Sequence, residues 1–250
     1  MLITALASSN IFTAIWDFLV SIKDSFVTQF VSTFITEKRY LIFLEGFRNT
    51  FVISIVSAVV GVLIGVMVAM VKVNTHQTGR MRGLSALLSA YVAVIRGTPL
   101  AVQLMIMAYI ILQSNNYVLT ACVAFGLNSG AYVSEVIRAG IMSIDIGQME
   151  AARSLGLTRG IAMRRVILPQ AVKNILPALC NEFIAIIKET SIVGLVGVRD
   201  LTRASDVVRS RTYAPYFPLL SIAFIYFVLV AGLTKATGAL EKRLARSDRS

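Results

Sequence analysis

A polar group interrupts an apolar stretch of this chain where Arg96, Gly97, Thr98 and Pro99 follow one another. Pro99 cannot donate a backbone hydrogen bond and suits the first position of a new helix, so we expect a helix break here, with Thr98 capping the second half. The amino terminus of such a half-helix, beside Arg96, favours an anion such as a carboxylate. The structural alternative is that Arg96 pairs with a backbone carbonyl or with Glu182.

A second polar group, Lys188, Glu189, Thr190 and Ser191, ends another apolar stretch. Ionisable side chains are costly to place in hydrocarbon, so within membrane spans they usually face the protein interior or a water-filled path. Glu189, with Thr190 and Ser191 as neutral partners, favours a cation such as an ammonium group. Alternatively, Lys188 and Glu189 only mark the outer end of a membrane helix.

The elements that carry these groups must be membrane helices. The chain has 250 residues, of which 56% are hydrophobic and 15% charged, and this apolar share exceeds that of ordinary soluble domains. Residues 51–71 and 212–234 are uncharged runs, each long enough to cross roughly 30 Å of hydrocarbon as a helix. Cys122 and Cys180 fall inside predicted spans and act there as small apolar residues.

Three further spans complete the prediction. Residues 97–134 lack charge but are too long for one helix, and the polar residues 113–116 divide them; we therefore expect one helix entering near Leu84 and another after the turn. Residues 169–187 contain Lys173, Asn181 and Glu182, so this span must be buried among the others. We predict an all-α membrane protein with five transmembrane helices over residues 48–240, followed by a cytoplasmic tail at residues 241–250.

Basic residues on the short connections predict the orientation. Residues 72–82, 135–173 and 235–250 together hold 14 lysines and arginines, against nine in residues 1–48, 113–117 and 188–211. The richer set belongs in the cytoplasm, which places the N-terminus outside and the C-terminus inside. The net charge of +11 therefore reflects membrane topology, and no nucleic-acid partner is expected.

Residues 1–47 differ from the rest of the chain. Apolar residues recur at helical spacing, at Ile11, Ile15, Leu19, Ile22, Phe26, Phe30 and Phe34. The opposite face carries Asp17, Ser21, Asp24, Thr28 and Ser32. This pattern predicts an amphipathic helix lying in the outer membrane interface. A signal peptide would need a basic start and an unbroken apolar core, which this segment lacks.

The connection between the third and fourth spans, residues 148–169, has the pattern of a helix-turn-helix. Glu150, Ala151, Ala152 and Leu155 are predicted to form a short helix that Gly156 ends in the left-handed conformation. Residues 161–167 are predicted to form a second helix before Pro169. The Ala pair would let another surface approach closely, and nearby arginines would meet acidic groups or lipid headgroups; the alternative is a basic linker.

The spacing of Glu150-Ala151-Ala152, three residues, Gly156, nine residues, Val166, one residue and Leu168-Pro169 resembles the EAA motif of ATP-binding-cassette (ABC) importer permeases. Three neighbouring stretches narrow the resemblance to permeases of polar amino-acid uptake systems. They are Arg96-Gly97-Thr98-Pro99-Leu100, residues 132–141, and Lys188-Glu189-Thr190-Ser191. The resemblance covers about residues 45 to 240, and the N-terminal amphipathic segment lies outside it.

The resemblance implies a type I ABC importer permease fold, in which Glu150, Ala151, Ala152, Leu155 and Gly156 couple the chain to a dimer of cytoplasmic ATPase subunits. It further implies a second permease, identical or similar, and an external amino-acid-binding protein. Arg96, Gly97 and Thr98 would line the path for the substrate carboxylate, and Glu189, Thr190 and Ser191 for its ammonium. Glu135 and Arg138, spaced i, i+3, are predicted to form an ion pair that braces the loop.

No Gly-Lys dipeptide occurs in the sequence, so a phosphate-cradling Walker A loop is missing. We expect no catalytic, cofactor or metal site on this chain, with ATP and Mg bound by the partner ATPase. His76 has no Cys, Asp or Glu near it in sequence, which argues against a metal ligand. Two alternatives remain open: an ion-coupled secondary transporter, which inverted repeats would favour, and a non-transporting membrane assembly subunit.

Overall fold

The computed structural model describes residues 2–246, and within them it contains helices and turns but no strand. The first half comprises α1 (Leu2–Phe30), α2 (Tyr40–Thr78), α3 (Arg82–Gly97), α4 (Leu100–Ile106) and α5 (Tyr117–Met142). The second half comprises α6 (Ile146–Ser154), α7 (Arg159–Ala162), α8 (Leu168–Glu189), α9 (Leu201–Thr212) and α10 (Phe217–Arg246). The predicted all-α fold is confirmed, although α10 continues into the predicted tail. The last four tail residues, 247–250, lie outside the described part.

The centre of the bundle is the pair α2 and α5, which pack with their backbones close together. A Cβ added at Gly61 of α2 would lie 2.6 Å from Ser129 Oγ of α5, and one at Gly130 of α5 would lie 2.7 Å from Ile64 Cγ2 of α2. Glycines four residues apart, Gly61 and Gly65 on α2, allow this approach, as in other membrane helix pairs. Around this contact, α3 and α8 pack against α5.

Three of the predicted spans correspond directly to apolar helices. Tyr40–His76, Tyr117–Met142 and Phe217–Leu244 each have the length and composition to cross a membrane. A fourth is bent: Arg82–Gly97 and Leu100–Ile111 meet at 109° and form a broken span or a re-entrant loop. The predicted break at residues 97–99 is therefore confirmed.

The fifth predicted span lies in α8, which does not pass the same apolar test, as its polar residues led us to expect. The predicted end of the preceding helix at Pro169 is wrong, because a continuous helical path runs from α7 through a π-helical turn, Met163–Ile167, into α8. Pro169 has no N–H to offer the carbonyl of Arg165. The chain widens to π geometry just before Pro169, with Leu168 N–H bonded to Met163 O, and so continues.

The N-terminal helix α1 stands apart from the bundle. Ile15–Lys38 has the length and composition of a candidate span, and its side chains from Ile15 to Phe30 are almost all exposed. A π-helical turn, Val31–Ile35, and a short 3-10 turn, Thr36–Lys38, connect it to α2. The interfacial placement of this helix stays a prediction.

Candidate functional site

The connection after α5 folds into a short helix with defined ends. The Asp145 carboxylate caps α6 by accepting a hydrogen bond from Gly147 N at 2.6 Å. After Ser154 the chain turns through Gly156, whose φ is +83°, and Leu157 N–H bonds back to Ala152 O at 3.2 Å. The predicted left-handed glycine is therefore confirmed, since this reversal suits a residue without Cβ.

The residues of α6 divide between an outward and an inward face. Leu155 is 83% and Ile146 75% exposed, and Glu150 and Ala151 are also exposed. Ala152 is only 3% exposed, because α6 packs against α7 and the following π turn on that side. The expectation that both alanines offer space to another surface is corrected: Ala151 faces outward, and Ala152 lets α6 lie close to its own bundle.

The Glu135 and Arg138 side chains form the ion pair that their spacing suggested, with Arg138 Nη2 2.8 Å from Glu135 Oε2. Lys72 of α2 adds a second contact, its Nζ lying 2.6 Å from Glu135 Oε1. Lys72 and Arg138 also line a cavity of about 740 Å³ together with Glu150 and Arg153 of α6. The cluster therefore links α2 to α5 and shares a cavity with α6. Its role in bracing the loop remains a prediction.

The helix break at residues 97–99 differs from the predicted geometry by one position. Pro99, with φ −64° and ψ 135°, occupies the cap position, and α4 begins at Leu100. Thr98 does not cap α4; its Oγ1 donates to Val94 O at 2.9 Å and so closes the end of α3. Thr98 is extended, with φ −120° and ψ 146°, as expected for a residue before proline.

Gln103 holds the two halves of the break together, a role that the sequence did not reveal. Its Nε2 donates to Ile95 O at 2.7 Å and to Thr98 O at 3.0 Å, and its Oε1 accepts from Asn128 Nδ2 of α5 at 3.0 Å. One side chain therefore satisfies backbone carbonyls freed by the break and attaches it to α5. The available signal was a single amide side chain following Pro99 within an apolar run.

Arg96 lies at the end of α3 and is exposed. Its guanidinium carbon is 5.2 Å from the centroid of the Tyr132 ring on α5, a cation–π distance. Among the described residues, Arg96 forms no ion pair with Glu182, so that structural alternative is not observed. The charge thus rests against an aromatic ring while its remaining donors stay available.

The second polar group lies where α8 ends at Glu189 and a 3-10 turn, Thr190–Val196, begins. Lys188 and Glu189 are exposed, and Ser191 is half-buried. Thr190 is fully buried, and its Oγ1 donates to Ile187 O at 2.7 Å. Thr190 therefore faces the bundle interior and supports the turn that presents its neighbours.

The structure does not join the two polar groups through a direct contact among the described residues. Arg96 is carried by α3 and Glu189 by α8, and both helices pack against α5. Lys188 and Ser191 line a separate cavity of about 270 Å³ with Thr202 and Tyr226. The elements that carry the two groups nevertheless meet, because α4 packs against the 3-10 turn Thr190–Val196.

The sequence of this chain matches a family of membrane transport proteins. Residues 61–246 match the family of binding-protein-dependent transport system inner membrane components. The chain is 39% identical over 205 residues to a putative glutamine transport system permease protein of Rickettsia conorii, covering 80% of this chain and 92% of that protein. It is 41% identical over 209 residues to the arginine transport system permease protein of Bacillus subtilis, covering 82% and 93%.

Two solved transporter structures superpose on this chain. A crystal structure of an amino acid ABC transporter with histidines superposes with a TM-score of 0.77 at 42% identity, covering 83% of this chain and 96% of that one. An inward-facing methionine ABC transporter gives a TM-score of 0.67 at 21% identity, covering 82% and 97%. The second likeness concerns the fold alone.

Proposed function

We propose that this chain, which belongs to the family of binding-protein-dependent transport system inner membrane components, is the multi-pass permease of an ATP-driven importer for polar amino acids. Relatives named for glutamine and arginine transport share about two-fifths of its residues over four-fifths of its length. The observation that carries the proposal is the α6 loop. Its outward face is exposed, and its ends are fixed by Asp145 and Gly156.

The α6 face is the proposed dock for a cytoplasmic ATPase subunit. Leu155 and Ile146 present apolar side chains, Glu150 presents a charge, and Ala151 allows close approach. A partner that covered Leu155 and Ile146 would remove their apolar surface from water, which favours association. ATP and Mg would be bound and hydrolysed by the partner, and this chain would transmit the closure of the two ATPase subunits to the membrane helices through residues 148–169.

The proposed substrate path runs past the two polar groups. Arg96, with Gly97 and Thr98 beside it, would receive the substrate carboxylate at the break between α3 and α4. Glu189 would receive the ammonium, with Ser191 next to it and Thr190 supporting the turn. The charged members, Arg96 and Glu189, are both exposed in the single chain, and a second permease, identical or similar, would enclose the path between the two subunits.

The orientation belongs to the same proposal. The external binding protein would deliver substrate on the side of Asn115, and α6 would lie in the cytoplasm, so the C-terminus is cytoplasmic and the segment before α2 lies outside. A cysteine replacing Asn115 is expected to react with an impermeant thiol reagent on intact cells. One replacing Thr75 is expected to react only after the membrane is opened, and the reverse pattern would overturn the orientation.

The test of the function is reconstitution with the ATPase and the binding protein. Leu155→Asp places a charge on a side chain that is 83% exposed, so folding is preserved while an apolar dock is spoiled. We expect the ATPase to dissociate during purification and uptake to cease. Met81→Asp, an exposed position on the same side but outside α6, is the matched control. Unchanged ATPase binding by Leu155→Asp, or uptake by this chain without an ATPase, would contradict the proposal.

A further inference from the structure

The helix α1 lies before the family-matched residues 61–246 and touches the bundle at one described aromatic contact. The Phe26 and Phe217 rings meet edge-on with centroids 5.3 Å apart, where α10 begins. Further along the chain, the Phe34 ring packs on the Phe43 ring of α2, with centroids 4.9 Å apart. The helix is therefore attached at its C-terminal end, and the rest of it extends away from the transport fold.

An elbow of two left-handed residues, Glu37 and Lys38, connects α1 to α2. Glu37 and Lys38 both have left-handed backbones, with φ of 53° and 55°, a conformation that costs free energy for residues with a Cβ. Arg39 is buried against this elbow, where its Nη1 donates to Ser32 O at 2.6 Å and its Nη2 to Glu37 Oε2 at 3.1 Å. A buried arginine therefore ties together the two sides of the strained turn between α1 and α2.

The two faces of α1 have opposite chemistry, and both are uncovered. The apolar face is exposed along its whole described length, at Ile15, Leu19, Ile22, Phe26 and Phe30. The polar face is equally exposed, at Asp17, Ser21, Asp24, Ser25 and Thr28. Lys23 lies within the apolar arc, and its long side chain can reach a headgroup while its stem stays in apolar surroundings. The side chain of Ile11 lies outside those described.

Exposed aromatic residues lie beside the point where α1 is attached. Tyr213 is 91% and Tyr216 74% exposed, immediately before α10, as in the aromatic belts found at membrane–water interfaces. From there the apolar face of α1 continues through Phe26 and Phe217 onto the exposed apolar side chains of α10, Leu220, Phe224 and Phe227. A surface continuous with the membrane-facing side of a spanning helix is itself suited to lipid.

We propose that α1 is a membrane-surface anchor that lies along the outer leaflet, with its apolar face in the lipid and Asp17 and Asp24 facing water. Ile15–Lys38 is long enough to span, but a spanning helix would carry Asp24 close to the middle of the hydrocarbon with its polar face toward lipid. A helix in the interface buries the same apolar residues and leaves both aspartates hydrated. This inference goes beyond transport and rests on the proposed orientation.

Single cysteines in the full chain, with Cys122 and Cys180 replaced by alanine, test the anchor. Ser21→Cys and Leu19→Cys lie two residues apart on opposite faces, and both replace exposed side chains, so folding is preserved. On intact cells we expect an impermeant maleimide to label Ser21→Cys several-fold faster than Leu19→Cys. Lipid-borne quenchers should affect a fluorophore at Leu19→Cys more than one at Ser21→Cys.

Three results would overturn the anchor. If both cysteines are shielded from outside, α1 spans the membrane. If disulfide-linked dimers form through Leu19→Cys, a second copy of the chain covers the apolar face. If both cysteines are labelled equally fast, the helix is free in water. Asn115→Cys, labelled in parallel, separates this inference from the transport proposal. If Asn115→Cys is shielded while Thr75→Cys reacts, the orientation is wrong, whereas shielding of Ser21→Cys alone refutes only the anchor.

Discussion

Two turns, at Gly156 after α6 and at Gly97–Pro99 between α3 and α4, are held by different means. At Gly156 the backbone itself closes the turn, through Leu157 N–H to Ala152 O and a φ of +83°. At the break, one side chain, Gln103, satisfies the carbonyls of Ile95 and Thr98. A backbone-held turn depends on one residue type at one position, whereas a side-chain-held turn depends on a distant partner, Asn128.

The most damaging change should be Gly156→Val, since a β-branched residue is strained in this left-handed conformation. A Cβ at Gly156 meets nothing within 4 Å, so the cost, on the order of 1 to 2 kcal/mol, comes from the backbone alone. We expect the dock to be misplaced and substrate-stimulated ATP hydrolysis to be lost. Gly160→Val, equally open but without a positive φ, is the control. Equal activity of the two variants would show that the left-handed turn is dispensable.

Glu189→Gln keeps the shape of the proposed ammonium site and removes its charge. Losing about 1.5 to 3 kcal/mol of charge-assisted bonding corresponds to roughly ten- to a hundred-fold weaker uptake. Uptake affinity in vesicles measures this, while basal ATP hydrolysis should persist. Arg96→Gln should weaken the carboxylate side, and the two losses should combine non-additively if one ligand bridges both groups. An unchanged affinity with less folded protein would mark Glu189 as structural.

Gln103→Met preserves length and volume at the break but removes every hydrogen bond of the amide. Unpaired carbonyls and an unpaired Asn128 amide cost about 1 to 2 kcal/mol, a factor of roughly 5 to 30 in an equilibrium. We expect uptake to fall by a similar factor with the ATPase still bound. Gln103→Asn paired with Asn128→Gln, which keeps the combined length, should restore part of the loss. No recovery in the double variant would show that the amide pair does not hold the break.

The smallest effect is expected at the ion cluster. Lys72→Gln removes one of the two cations that contact Glu135, and because Lys72 is only partly buried the loss should be about 1 kcal/mol or less. A fall of a few degrees in the melting temperature of the purified protein measures it. Arg209→Gln, which breaks the exposed pair with Asp206, should change nothing measurable. Equal shifts in both variants would remove any special role for the cluster.

The sequence predicted what depends on composition and on single residue types. Charges flanking uncharged runs located α2 and α10, and the polar residues 113–116 located the start of α5. Gly156 predicted a turn because glycine tolerates positive φ, and Pro99 predicted a break because proline lacks an N–H. Polar content correctly set α8 apart from the apolar spans. These signals are local, so they do not depend on which helices pack against one another.

What the sequence did not predict depends on partners far away in the chain. Lys72 meets Glu135 and Gln103 meets Asn128 only because α2, α4 and α5 pack together, and no periodicity within one helix records that. Ala151 and Ala152 look equivalent in the motif, yet one faces outward and the other is buried, since adjacent helical positions lie about 100° apart. Pro169 was expected to stop a helix, but a wider turn absorbed its missing N–H.

The glycine contact between α2 and α5 has a mechanical consequence. Ser129 lies against Gly61 and Ile64 against Gly130, so sliding one helix along the other would drive these side chains into residues larger than glycine. We expect this pair to act as a strut that keeps its length and angle through the working cycle. Distances between spin labels on α2 and α5 should stay constant with and without nucleotide, while those from α5 to α3 or α8 change; movement within the pair itself would refute it. The helix contacts that change during the working cycle are then those that α5 makes with α3 and α8.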